Sequence, residues 1–336
     1  MLHKYFKSTN DMFWNMSAII YSVVLYIVGW AGILSDGIFL NLLSTVALGH
    51  SMIIAAYLIH ECAHKSLLKT AGQNEILGTV LNWITGSCYG KFEDLRYKHI
   101  RHHVDNADVL TLNMHLMLQK HIFLRKTIEC LEYLHIPAID ILMHLIQIIA
   151  PWIFTKNAAQ KKRTAIFIFI RTLLFFIISV YEPLALVWYC LAFILMLHVL
   201  RFMDAFQHNY RSTTGLADGT YIAEHKGDSE YEYKHTFSNL LSSQYPKLNW
   251  LVLNFCYHNA HHTKPNIPWH QLPNLHQQLY GDTCSQIIPF KDQLRCYHQN
   301  RMQRIFGDDE ENDEFPKKMK DRKAVGANGV SFLTAF

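Results

Sequence analysis

The chain has 336 residues, of which 31 are Lys or Arg, 27 are Asp or Glu and 21 are His, giving a formal net charge of +4. Half of it is hydrophobic, 17% is charged, and 20 Phe, 17 Tyr and 7 Trp are present, which excludes a disordered or fibrous chain. No stretch is basic enough to make nucleic acid a partner.

In chain order, a polar segment over residues 1–16 precedes an apolar run, Ser17–Leu34. That run is too long for a signal-peptide core, and no small-residue cleavage site follows it, so it reads as the first membrane span. Ile38–Ile59 follows after only Ser-Asp-Gly; Thr164–Val180 and Leu184–Leu200 are separated only by Tyr-Glu-Pro. Each run is long enough to cross, or nearly cross, a hydrocarbon core of about 30 Å. The short connectors predict two helical hairpins, with spans at 17–34, 38–59, 164–180 and 184–200. Lys4, Lys7, Lys65, Lys69, Lys156, Lys161, Lys162, Arg163, Arg201 and Arg211 all stand away from those connectors. The positive-inside rule therefore places both termini and the large polar regions in the cytoplasm.

Ile76–Gly90 is short and broken by Asn82 and glycines, so it reads as re-entrant or interfacial. In His135–Phe154, Asp140, His144 and Gln147 fall at i, i+4 and i+7, the pattern of a helix lying along the membrane surface. Arg171 lies inside the third run and requires a partner that the sequence does not identify. Residues 17–305 read as one membrane domain, and 306–336, an acidic block followed by a basic one, as a solvated, disordered tail. The seven cysteines are odd in number and form no Cys-x-x-Cys pair, so free thiols are expected.

The histidines are not scattered. His60-Glu-Cys-Ala-His64 ends the second run; His99-Ile-Arg-His102-His103 and His258-Asn-Ala-His261-His262 follow. Spacings of i+3 and i+4 put each set on one helical face, where imidazole nitrogens can converge on a metal ion. Eight imidazoles exceed what one ion uses, so two ions are the natural count. If the fourth helix continues beyond its apolar run, Asp204 and His208 share a face too. His60–His64 also satisfies the His-Glu-x-x-His signature of zinc metalloproteases, with Glu61 as base. That alternative leaves both later boxes unexplained.

At these residues the chain resembles the membrane fatty acid desaturase family, in its acyl-lipid branch. His60–Ser66, Phe206–Tyr210 and His258–Pro273 each look like a family segment, and the likeness covers about Ser17 to Leu279. The resemblance implies an all-α integral membrane protein: four transmembrane helices in two hairpins and a cytoplasmic helical cap holding a diiron site. It implies that His60, His64, His99, His102, His103, His258, His261 and His262 bind two non-haem iron ions. By position it adds His208 as a ligand and allows Asp204 a role through water or behind a ligand. It further implies O2-dependent insertion of a double bond into an acyl chain. Hydroxylation or ketolation of a lipid or carotenoid is the alternative on the same scaffold. No haem-binding or Rossmann segment is present, so an external donor of ferredoxin or cytochrome b5 type is expected, docking around Lys91, Arg96, Lys98 and Arg101. A bacterial inner membrane is favoured over the endoplasmic reticulum. The substrate-binding residues are not legible.

Overall fold

The computed structural model describes residues 2–210, 213–216, 224–281, 284–306, 318 and 333–336. The helices run α1 (Thr9–Ile33), α2 (Ile38–Ala63), α3 (Ala71–Ile84), α4 (Phe92–Asp105), α5 (Met114–Lys120), α6 (Ile122–Tyr133) and α7 (Ala138–Ile153). They continue as α8 (Lys161–Tyr181), α9 (Pro183–Asp204), α10 (Ser229–His235), α11 (His258–Thr263), α12 (Leu272–Tyr280) and α13 (Phe290–Phe306). Two short strands, β1 (Asp108–Leu110) and β2 (Thr213–Gly215), pair in parallel. Two compact units emerge: one comprises Met1–Leu95, Asp140–Val199 and Leu333–Phe336, the other Arg96–Ile139 and Leu200–Phe332.

Four helical segments among the described residues are long and apolar enough to cross a membrane: Thr9–Ile33, Ile38–Ala63, Thr155–Tyr181 and Pro183–Asp204. They cover the four predicted runs except for Leu34, which caps the first, and exceed them at polar ends. α1 starts eight residues before its apolar run because Ser8 caps it, accepting from the Asp11 amide at 3.1 Å. Its polar Asn15 is buried and donates to the Leu67 carbonyl at 2.9 Å. Glu182 alone separates α8 from α9, and Pro183 supplies the preset backbone angle of a first helical turn.

In the first unit α1 packs closely on α2. A Cβ on Gly29 would lie 2.9 Å from the Leu48 Cβ, and Ser22 and Ser51 each donate to the other's carbonyl. Such small-residue contact is how helices associate where no hydrophobic driving force separates protein from solvent. Arg171 finds its partners here: its guanidinium donates to the Tyr189 hydroxyl at 2.8 Å and the Trp83 carbonyl at 3.3 Å. Arg163 donates to the carbonyls of Cys88, Tyr89 and Gly90 and so fixes the turn after α3.

The polar stripe of α7 departs from expectation. Asp140, His144 and Gln147 are buried, while Leu145, Ile149, Trp152 and Ile153 are exposed. The helix turns its polar face into the protein and its apolar face outward, the inverse of a helix with a solvated polar side. Gln147 accepts from the Ala335 amide at 2.9 Å, and Phe336 stacks on Phe154. Leu333–Phe336 are buried, so a solvated tail does not hold for these four apolar-rich residues. Most of the tail, 307–317 and 319–332, lies outside the described residues, as does Arg211.

The second unit is built on polar ties. Arg201, near the end of α9, makes a two-pronged ion pair with Glu132 of α6 at 2.7 and 3.1 Å, both side chains buried. Ala205, Phe206, Phe237, Ile288 and Cys296 form a core cluster, with Phe202 and Tyr297 against it. None of the seven cysteines, all among the described residues, forms a disulfide.

Candidate metal centre

α4 and α11 each carry a complete His-x-x-His-His box, and the structure divides both between two sets of converging nitrogens. Ligand-capable atoms of His99, His103 and His261 lie within 4.8 Å of one another, as do those of His102, His208, His258 and His262. The i, i+4 pair of each box therefore stays together, and the i+3 histidine goes to the other set. This follows from helical phase, since positions i and i+4 are separated by about 40° of rotation and i+3 falls on the other flank.

Within the four-histidine set, the Nε2 atoms of His102 and His208 are 2.9 Å apart, and those of His258 and His208 are 2.7 Å apart. In the other set, His103 Nε2 lies 3.2 Å from Nε2 of both His99 and His261. Two nitrogens about 2.1 Å from one ion and at right angles to each other are about 3.0 Å apart, so these separations suit shared metal positions.

Protonation favours the same reading. The Nδ1 of His102 lies 2.9 Å from the Ala107 carbonyl, which can only accept. Nδ1 of the neutral ring must carry the proton, leaving Nε2 as a bare lone pair aimed at its neighbours. Burial pulls the His102 imidazole down to about 4. Burial, followed by the neighbouring imidazoles, also holds His208 and His262 well below the ordinary range. Neutral rings with lone pairs crowded together constitute a donor set that fits a metal cation.

His208 reaches this set by a route the sequence did not suggest. α9 stops at Asp204, and the next bonds, Phe206 amide to Met203 carbonyl and Gln207 amide to Asp204 carbonyl, tighten the chain out of the helix. His208 then stands in an isolated antiparallel bridge with Thr236. Asp204 and His208 thus do not share a helical face, and neither set of converging nitrogens includes Asp204. Box three is fixed by Asn259, whose side-chain amide donates to the Thr236 carbonyl at 2.9 Å and whose Oδ1 accepts from Ser238 at 2.6 Å.

Box one lies in the first unit. Both imidazoles are buried at the end of α2, their ring centroids 4.9 Å apart. Glu61 beside them accepts from the Ser66 hydroxyl at 2.6 Å, and its carbonyl accepts from the Ser66 amide. It pins the turn at Lys65, whose φ is 56°. Of the cations expected to receive a donor protein, Lys98 is buried and Arg101 is held by Asp105 at 2.6 Å; neither presents a free charge.

One residue near the metal centre was not anticipated. Glu232 of α10 lies 2.8 Å from the Nδ1 of His262. It sits in the run Ser-Glu-Tyr-Glu-Tyr-Lys-His, which reads as a solvated charged face. The available signal was Asp228, a cap residue that starts the helix carrying Glu232.

The family described as fatty acid desaturase matches the chain over residues 37–288. Among curated proteins, none matches it.

Proposed function

The chain belongs to the fatty acid desaturase family, and from that premise we propose that it is an O2-dependent acyl-lipid desaturase with a histidine-held diiron centre. The observation that carries this reading is the division of both His-x-x-His-His boxes into two sets of inward-facing nitrogens. In this proposal the two ions are held by the nine histidines of the resemblance, His60 and His64 among them, with His102, His208, His258 and His262 together on one ion. Two iron ions so held would supply O2 activation and hydrogen abstraction from an unactivated C–H bond.

The chain's own residues do the positioning. The Ala107 carbonyl orients His102, Glu232 orients His262, and Thr236 lies 3.5 Å from the Nδ1 of His208. Each keeps an Nε2 directed inward, which a ring free to rotate would not do. The net reaction, loss of two hydrogens from the acyl chain with reduction of O2 to two waters, takes up two further electrons and two protons. A soluble ferredoxin or cytochrome b5 type donor supplies the electrons in this reading, approaching through Lys91 and Arg96.

The membrane arrangement belongs to the same proposal. Two hairpins place the boxes and both termini on the cytoplasmic side of a bacterial inner membrane, supported by the charge asymmetry of the connectors and by the α1–α2 contacts. Lipid profiling by mass spectrometry of a host expressing the chain with a competent donor, beside a His261→Ala control, tests the function. Loss of two hydrogens from an acyl chain is expected. Gain of an oxygen would establish the hydroxylase or ketolase alternative, and an unchanged profile would count against both.

A further inference from the structure

The two histidine sets meet a common carboxylate. Ligand-capable atoms of His103, Glu232 and His262 lie within 4.8 Å of one another, and His103 and His262 belong to different sets. Their ring centroids are 4.0 Å apart. The sequence offered Asp204, not Glu232, as the carboxylate beside the ligands.

Glu232 is held there by the fold. Asp228 caps α10, accepting from the Glu230 and Tyr231 amides at 3.1 and 3.0 Å. The Asn106 side chain, directly after the box-two helix, donates to the carbonyls of His225 and Asp228, both at 2.9 Å. The start of α10 is thus tied to the end of α4. Glu232 of α10 and Thr236, the extended residue directly after it, approach the Nδ1 atoms of His262 and His208. Glu232 and His262 also line a cavity of about 350 Å³ with Ser229, Tyr233, Thr236 and Asn259.

We propose that Glu232 is a positioning residue shared by the two metal positions: it orients His262 by accepting from its Nδ1, and its carboxyl group also faces His103. The inference rests on the diiron reading above. A carboxylate behind a ligating imidazole strengthens that ligand as a donor, and losing such a partner typically lowers metal affinity about 10–100-fold. One carboxylate facing a ligand of each set makes the two ions electronically dependent on a single side chain.

The test uses the full chain in lipid nanodiscs, loaded with 57Fe(II) and read by iron stoichiometry and Mössbauer spectroscopy. Glu232→Gln keeps an acceptor for the His262 N–H but removes the charge; it should retain the iron and shift the quadrupole doublets of both sites. Glu232→Ala should bind at least one iron about 10–100-fold more weakly. Formate, small enough for the cavity, should restore part of that loss, which repair of a purely structural defect would not do. Wild-type iron content and unchanged spectra in both variants would overturn the proposal, as would a change confined to one doublet. Should Glu232→Ala not fold, an unchanged Glu232→Gln spectrum overturns it alone. A wild-type chain that binds no iron would instead defeat the diiron reading itself.

Discussion

The Nε2 atoms of His102 and His208 lie 2.9 Å apart although 106 residues separate them in the chain. That separation suits two ligands of one candidate metal position. Replacing either His102 or His208 by Ala should lower iron content by about one per chain, and the double variant should lose no more than the worse single one. Iron analysis of the three purified proteins checks this. Additive losses would place the two histidines on different ions.

The Glu132–Arg201 pair anchors the end of α9, from which the chain runs on to His208. Removing one partner of a buried ion pair leaves an uncompensated charge and costs about 3–5 kcal/mol. Glu132→Gln should therefore unfold at clearly lower denaturant, whereas replacing both residues by apolar ones of similar volume should recover most of the stability. Denaturant titration in detergent micelles distinguishes the two.

Gly78 admits no side chain. A Cβ there would stand 2.3 Å from the Phe92 ring, and Phe92 opens the helix that carries box two. Gly78→Ala should destabilise by about 1–3 kcal/mol through overpacking and should weaken iron binding, because α4 is displaced at its start. Thermal melts and iron titration of the same preparation should move together; a stable variant with normal iron binding would show that Phe92 swings aside freely.

The donor surface can be narrowed by charge reversal. Arg96→Glu should raise the apparent KM for the electron donor with little change in melting temperature. Lys98→Glu should lower the melting temperature instead, since Lys98 is buried and a carboxylate there would be desolvated. Steady-state kinetics against donor concentration, beside thermal melts, separates these outcomes.

The four spans were legible because lipid-facing helices must be apolar along their length, so Ser17–Leu34 and the later runs stand out from composition alone. The interior face of α7 was not. Its periodicity revealed two faces but not which one the rest of the protein covers, and Asp140, His144 and Gln147 turned inward. The three boxes were legible through their i, i+3 and i+4 spacing. That each box divides was not read from it: helical phase sets the flank of each ring, but only the opposing elements bring the partner histidines that make each flank a separate set. His208 came from family likeness rather than helical periodicity, since the helix that was to present it ends at Asp204. Glu232 was hidden by its charged neighbours, and no spacing in the sequence connects it with His262.

The crossed use of the two His-x-x-His-His boxes gives their spacing a particular rigidity. A residue inserted between His99 and His102, or between His258 and His261, would rotate the rings beyond it by about 100° and disturb both sets at once. No slip in either helix can be confined to one set of histidines. The two positions therefore share one tolerance for change, and a lineage that abandoned one of them could not keep the other by conserving a single box.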